Sequence, residues 1–226
     1  KGIDRIILSP GVPRAIPLIQ KAIEKNIPVW SEIELSYNYL PQDVTIIGVT
    51  GTDGKSTTVS LISAVLSTTY RTFLCGNIGT PFISLIPQIQ SGDKVVLELS
   101  SYQLEENESF HCDIACILNI SEDHLDRYPS LDEYMSAKEN ILRTQEKSGI
   151  AVLNADSEYF ERQKSIVKGK LITFSRLKNI FNSIIDNNNI IYNKEHICPI
   201  NHIKIKGVHN LENALCAVAV AKELKI

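Results

Sequence analysis

The chain has 226 residues, 43% of them apolar and 22% charged, with a formal net charge of −3. That length holds one large domain or one and a half ordinary ones, with apolar content for a sizeable core. The charge excludes a general affinity for nucleic acid or anionic membrane, and no apolar run approaches the roughly 20 residues of a membrane span.

No signal peptide is visible, and the chain begins as abruptly as one lacking an upstream segment would. The five cysteines, Cys75, Cys112, Cys116, Cys198 and Cys216, are odd in number and scattered. Cys112 and Cys116 lie four apart without a second pair to complete a zinc site. Buried free thiols in a reducing compartment are expected, which favours the cytoplasm.

In chain order, Arg5–Ser9 reads as a short strand ended by Pro10-Gly11, Pro17–Lys25 as a helix and Ile27–Trp30 as a second strand. Ser31 can cap the next helix, with Glu34 at capping-box spacing. Pro41-Gln42-Asp43 then breaks the chain. Two strands and two helices make a poor independent domain, so residues 1–40 are expected to be part of a smaller nucleotide-binding unit and 41–226 the main domain.

The strand Val44–Thr50 runs into Gly51-Thr52-Asp53-Gly54-Lys55-Ser56-Thr57, with Val59, Ile62 and Val65 following at helical spacing. Glycines let backbone N–H groups approach phosphate oxygens, and a helix N-terminus adds unpaired donors. Lys55 offers a point charge to terminal phosphates and Ser56 a hydroxyl to Mg²⁺. The strict phosphate-loop spacing is not met, because Val49 stands five residues before Gly54, where that pattern wants glycine. A nucleoside triphosphate is therefore expected on a variant loop.

Val95–Leu99 carries Glu98 to the ligand-bearing edge of a parallel sheet, where it could complete a Mg²⁺ site or be a solvated strand-end acid. The strand Ile114–Asn119 leads into Ser121-Glu122-Asp123-His124-Leu125-Asp126-Arg127-Tyr128, a polar cluster that could be a solvated loop but, beside a phosphate loop and a candidate acid, points to a substrate or metal role. Helix Leu131–Arg143 holds Lys138; a helical lysine is usually a surface residue. Asn77, between Gly76 and Gly79, is ambiguous by itself. Strands at Ile150–Asn154 and Leu171–Phe174, a small antiparallel excursion across 187–207 and a helix His209–Leu224 complete the chain. The nearly continuous apolar runs give an α/β fold: a mostly parallel sheet flanked by helices.

Together, Leu8-Ser9-Pro10-Gly11, the 48–57 loop, Gly76-Asn77-Ile78-Gly79, Leu97–Leu104, Asn119–Tyr128, Ala137-Lys138 and Gly207-Val208-His209-Asn210 resemble the Mur ligase family of bacterial cell-wall synthesis. The likeness is to its D-glutamate-adding branch. Ser100-Ser101-Tyr102-Gln103 and Glu122–Tyr128 carry that distinction, since the diaminopimelate- or lysine-adding branches usually show a Ser-Ser-His strand end.

The resemblance implies a P-loop-type central domain preceded by part of a Rossmann-like UDP-binding domain, with a further C-terminal domain absent from this chain. It implies an ATP-dependent amide ligase that joins D-glutamate to UDP-N-acetylmuramoyl-L-alanine through an acyl phosphate, in peptidoglycan precursor synthesis. Gly51, Thr52, Asp53, Gly54, Lys55, Ser56 and Thr57 would cradle ATP, with Asn210 on its adenine side. Ser56 and Glu98 would hold one Mg²⁺, and His124 and Lys138 would serve a second. Lys138 would be carbamylated. Ser9, Asn77, His124 and Lys138 would meet the UDP-sugar substrate, and Lys55, His124 and Lys138 would be catalytic. A cytoplasmic monomer is expected. Asp53 departs from the asparagine the resemblance leads one to expect. Another branch of the family, a folylpolyglutamate synthase-like ligase and a non-catalytic nucleotide-binding module stay open as alternatives.

Overall fold

The computed structural model describes residues 2–13, 15–105, 107–123 and 127–226. Near the start, β1 (Ile6–Leu8) and β2 (Val29–Ser31) pair in parallel as a two-stranded sheet of their own, joined through α1 (Pro17–Glu24). Leu8, Ile19, Ala22 and Val29 form a small apolar cluster there. Helix α2 (Glu32–Asn38) follows at once, and its Ile33 is buried in a larger core built by the rest of the chain.

That core surrounds a nine-stranded sheet. The strands are β3 (Thr45–Thr50), β4 (Thr72–Gly76), β5 (Lys94–Glu98), β6 (Ile114–Ile117), β7 (Ile150–Asn154), β8 (Lys170–Ser175), β9 (Ser183–Asp186), β10 (Asn189–Tyr192) and β11 (Glu195–Pro199). Their spatial order is β11-β10-β9-β8-β7-β6-β3-β5-β4. Pairing is parallel from β4 through β9 and antiparallel across β9, β10 and β11. The helices between strands are α3 (Lys55–Leu66), α4 (Phe82–Leu85), α5 (Ser101–Glu105), α6 (Leu131–Arg143), α7 (Phe160–Ile166) and α8 (Val208–Glu223).

Successive strand residues point to opposite faces, and here both faces are covered. Ile47, Val49, Val96, Ile114 and Cys116 pack with Val59 and Ile62 of α3 and with Leu215 and Ala219 of α8. Ile46, Val95, Leu97, Ala115 and Ile117 pack with Phe82, Phe110, Tyr134 and Ile141 on the other side. This two-sided burial is why the strands read as continuous apolar runs.

Several sequence expectations shift. Strand β4 was not anticipated: Thr72, Phe73 and Leu74 are only partly buried at the sheet edge, so its apolar run is short. The antiparallel excursion lies earlier, over β9–β11. The partial alternation of Ile203, Ile205 and Val208 is not a strand; Ile200–His202 is a 3₁₀ turn and Val208 opens α8. Ser31 caps α2 by accepting the Glu34 N–H at 2.9 Å, but Glu34 does not return the bond as a capping box would. Its buried carboxylate turns instead to the segment before β6. There it accepts N–H bonds from Glu108, Ser109 and Phe110 and a bond from the Ser109 hydroxyl. Cys75, Cys112, Cys116 and Cys216 are buried free thiols, whereas Cys198 is half-buried.

Candidate active site

Strand β3 sits between β5 and β6; its connection runs to α3 on one face of the sheet, whereas those leaving β5 and β6 run to α5 and α6 on the other. At such a reversal a crevice opens beyond the strand ends, and ligands bind there. The loop after β3 enters that crevice. Gly54 adopts φ +81° and caps α3, a backbone shape that a residue with a Cβ resists. Helices α2 and α6 both have serine side-chain caps, at Ser31 and Ser130. Helix α3 has none. Its first-turn N–H groups therefore carry the partial positive charge of the helix end with no side chain spent on them, the physical requirement for holding phosphate.

Lys55 folds back over the loop, donating to the carbonyls of Gly51 at 3.0 Å and Thr52 at 2.6 Å. Lys138 reaches the same Gly51 carbonyl from α6, at 2.8 Å. The lysine that helical placement alone would leave on the surface is 2% exposed. Its ammonium lies 4.4 Å from the centre of the Tyr134 ring, one helical turn earlier. Burial, and then the neighbouring Lys55 charge, push its pKa down to about 7, against weaker opposing pulls from Asp123 and Asp53. A substantial fraction of Lys138 is thus a neutral, nucleophilic amine near neutral pH.

Glu98 closes the other side. It pairs in register with Val49, two residues before the loop, and is 3% exposed. Asn77 donates to its Oε1 at 2.9 Å. The second oxygen, Oε2, is buried with no hydrogen-bond partner. Leaving such an oxygen unpaired costs about 1–3 kcal/mol or more, and a cation would satisfy it. The residues present therefore fit a divalent ion held by Glu98 with phosphate oxygens and the exposed Ser56 hydroxyl. Among the described residues, no three His, Cys, Asp or Glu side chains cluster as a self-sufficient metal cage.

The remaining candidates fall at different distances from this centre. Asp53 is exposed at the loop tip, and its backbone rather than its carboxylate is tied down, by Asn119. Thr57 lies half-buried in the first turn of α3. Asn210 accepts from Asn213, whose side chain packs directly beneath Gly54, so α8 reaches the loop through that pair. Ser9 is set apart, in a narrow cleft with Ser31, Tyr102, Gln103 and Arg127. His124, with Leu125 and Asp126, lies outside the described residues.

Asn119 and Tyr134 were not anticipated as site residues. Tyr134 supports Lys138 and lies 3.4 Å from the Thr52 hydroxyl. Its spacing of four before Lys138 was a usable signal. Arg127 stacks on Tyr102 and pairs at 2.8 Å with Glu105, which lines the Ser9 cleft beside it, so the cleft holds a fixed ion pair.

Comparison with known proteins adds a lineage to this geometry. The family model described as the Mur ligase middle domain matches residues 49–221. A UDP-N-acetylmuramoylalanine–D-glutamate ligase from Exiguobacterium sibiricum is 38% identical over the whole chain, and one from Koribacter versatilis is 40% identical over 96% of it. The chain spans about half the length of these relatives, 50% and 49%. Among solved structures, a UDP-N-acetylmuramoyl-L-alanyl-D-glutamate–2,6-diaminopimelate ligase superposes with a TM-score of 0.70 at 22% identity, over 97% of this chain and 57% of its own. A UDP-N-acetylmuramate:L-alanyl-gamma-D-glutamyl-meso-diaminopimelate ligase from Neisseria meningitides gives 0.70 at 19% identity, over 99% and 75%. At those identities the structural likeness speaks for the fold.

Proposed function

The chain belongs to the Mur ligase family, and on that premise we propose that it is the ATP-handling part of a ligase joining D-glutamate to UDP-N-acetylmuramoyl-L-alanine. The observation that carries the reading is the buried, partnerless Oε2 of Glu98 beside an uncapped helix N-terminus. An anion seeking a cation next to donors seeking an anion is the arrangement that a magnesium nucleotide satisfies. The substrate assignment rests on the relatives' names and on the Gln103 and Glu122–Tyr128 pattern.

A carboxylate is a poor electrophile, so one of its oxygens must become a leaving group. In the proposed reaction the alanyl carboxylate attacks the γ-phosphorus of ATP, releasing ADP and forming an acyl phosphate. The amine of D-glutamate then attacks the acyl carbon; inorganic phosphate leaves and the amine proton passes to solvent. The α3 N–H groups and Lys55, released from its carbonyl contacts, would hold the phosphates. Glu98 and Ser56 would hold Mg²⁺, which screens the two reacting anions from each other.

The lowered pKa of Lys138 supports carbamylation: the neutral amine adds to CO₂, loses a proton and becomes an anionic oxygen donor. His124 is proposed as a partner of a second Mg²⁺, Asn77 and Ser9 as substrate contacts, and Asn210 as a contact on the adenine side. Residues 1–40 are proposed to belong to the unit that binds the UDP moiety.

The test is an amino-acid panel with the full-length protein, ATP and UDP-N-acetylmuramoyl-L-alanine. ADP release is expected with D-glutamate; release only with diaminopimelate, lysine or a folate acceptor would remove the substrate assignment. Lys55→Ala and Lys138→Ala are each expected to abolish ligation, with a short carboxylate such as acetate restoring part of the Lys138→Ala activity. Unchanged turnover in both variants refutes the mechanism.

A further inference from the structure

The segment following β6 is laced to the phosphate loop more densely than chain continuity requires. Asn119 supplies most of the lacing. Its backbone carbonyl accepts the Thr52 N–H at 3.0 Å. Its side-chain Oδ1 accepts the Asp53 N–H at 2.8 Å, and its Nδ2 donates to the Asp53 carbonyl at 3.1 Å. Two residues on, the Ser121 N–H donates to the Thr52 hydroxyl at 3.0 Å, and that hydroxyl donates to the Ser121 carbonyl at 3.3 Å. The approach is close enough that a Cβ on Gly51 would stand 3.1 Å from the Leu118 Cβ and 3.3 Å from the Asn119 backbone.

An amide that meets both the N–H and the C=O of one residue fixes the two peptide units that flank it, here Thr52–Asp53 and Asp53–Gly54. Few other side chains can do this: aspartate and serine each lack part of the donor–acceptor pair at that reach, and lysine has no acceptor. Fixing Asp53 in this way has two consequences. The loop immediately before Gly54 is held open without a ligand, so its ordering entropy is met on folding rather than on binding. The Thr52 and Asp53 N–H groups are also taken, which leaves Gly54 and the first turn of α3 as the donor set for a phosphate.

We infer that Asn119 is a positioning residue that holds the phosphate loop in its nucleotide-accepting shape by clamping the main chain on both sides of Asp53. The inference rests on the reading of residues 51–57 as a phosphate loop. It also gives the loop's unexpected aspartate a structural account: position 53 is gripped through its main chain, so its side chain is left at the exposed tip.

The test uses the full-length protein titrated with MgADP, comparing Asn119→Ala, Asn119→Ser and Lys55→Ala. Asn119→Ala deletes both side-chain bonds to Asp53. Asn119→Ser withdraws them while keeping a small polar group, and it carries the test if the alanine variant does not fold. Each Asn119 variant is expected to bind MgADP about tenfold more weakly. Hydrogen exchange at the Asp53 amide is expected to accelerate, with little change in the melting temperature of the nucleotide-free protein. A fall in melting temperature with unchanged affinity would show a merely structural role and overturn the inference. If Lys55→Ala loses affinity while the Asn119 variants keep it, the clamp is refuted and the phosphate-loop reading survives. If Lys55→Ala also binds normally, the phosphate-loop reading falls and takes the clamp with it.

Discussion

Glu34 and Glu98 are two carboxylates of nearly equal burial, 1% and 3% exposed, and they do opposite things. Glu34 is saturated. It accepts from three backbone N–H groups and a hydroxyl, and so joins α2 to the segment ahead of β6. Burial by itself would raise its pKa; the Ser109 hydroxyl and the N–H groups of Phe110, Ser109 and Glu108 outweigh that and lower it. Glu98 has one oxygen satisfied by Asn77 and one left bare. The difference teaches that burial marks neither role. What separates a structural carboxylate from a functional one is whether the protein completes its hydrogen bonding or leaves it for a ligand.

Exchanging the charge for an amide should pull the two sites apart. Glu98→Gln is expected to cost full-length protein about two to three orders of magnitude in kcat, because the proposed cation would lose its anchor. Its melting temperature should hold or rise, since a buried unpaired charge is removed. An activity loss accompanied by unfolding would erase the distinction from Glu34.

Glu34→Ala is the converse. It strands the donors of the 108–110 segment, the buried Phe110 N–H among them, and should destabilise the chain by about 2–4 kcal/mol in urea denaturation. The pH dependence follows from the sign of the shift. The folded pKa lies below the ordinary 4.5, so the stabilisation is complete above about pH 4.5 and is lost as pH falls through the folded value. The stability gap between wild type and Glu34→Ala should therefore narrow in acid; a gap that widened would mean the carboxylate is not the stabilising species.

Lys138 gives the smallest effect and the sharpest test of sign. Its ammonium is disfavoured in the fold, so the native state binds fewer protons than the unfolded chain between about pH 7 and the free-lysine value of 10.5. Lys138→Met should stabilise the protein by on the order of 1 kcal/mol below pH 7, an advantage that fades as pH rises through that window. Thermal melts across pH 6–10 would show it. A pH-independent difference would mean that packing, not charge, governs this position.

Much of the fold was legible in the residues, for reasons the packing makes plain. Ile150–Asn154 and Leu131–Arg143 were placed to the residue, because two-sided burial and a serine cap mark them strongly. Strand β4 was not, because a half-buried edge strand need not be apolar throughout. The capping-box spacing at Ser31 and Glu34 was real but only half used: spacing specifies what a side chain can reach locally, and Glu34 had a stronger offer from a segment more than seventy residues away. At the site, Lys55 and Glu98 were visible from the loop and the strand end. Asn119 was not singled out, because nothing in its neighbourhood says that the amide turns back to a loop 66 residues earlier.

The position of β3 between β5 and β6 has a temporal consequence. The proposed nucleotide cradle draws on residues from β3, β5 and the end of β6, and each join is a parallel pairing reached by a crossover. Such non-local contacts form slowly, whereas α3, α6 and α8 can acquire helical structure from local interactions. In refolding, nucleotide affinity should therefore lag behind helical signal. The site would act as a proofreader of assembly: a chain that has not threaded its central strand between its two neighbours has helices, but no place to put a phosphate.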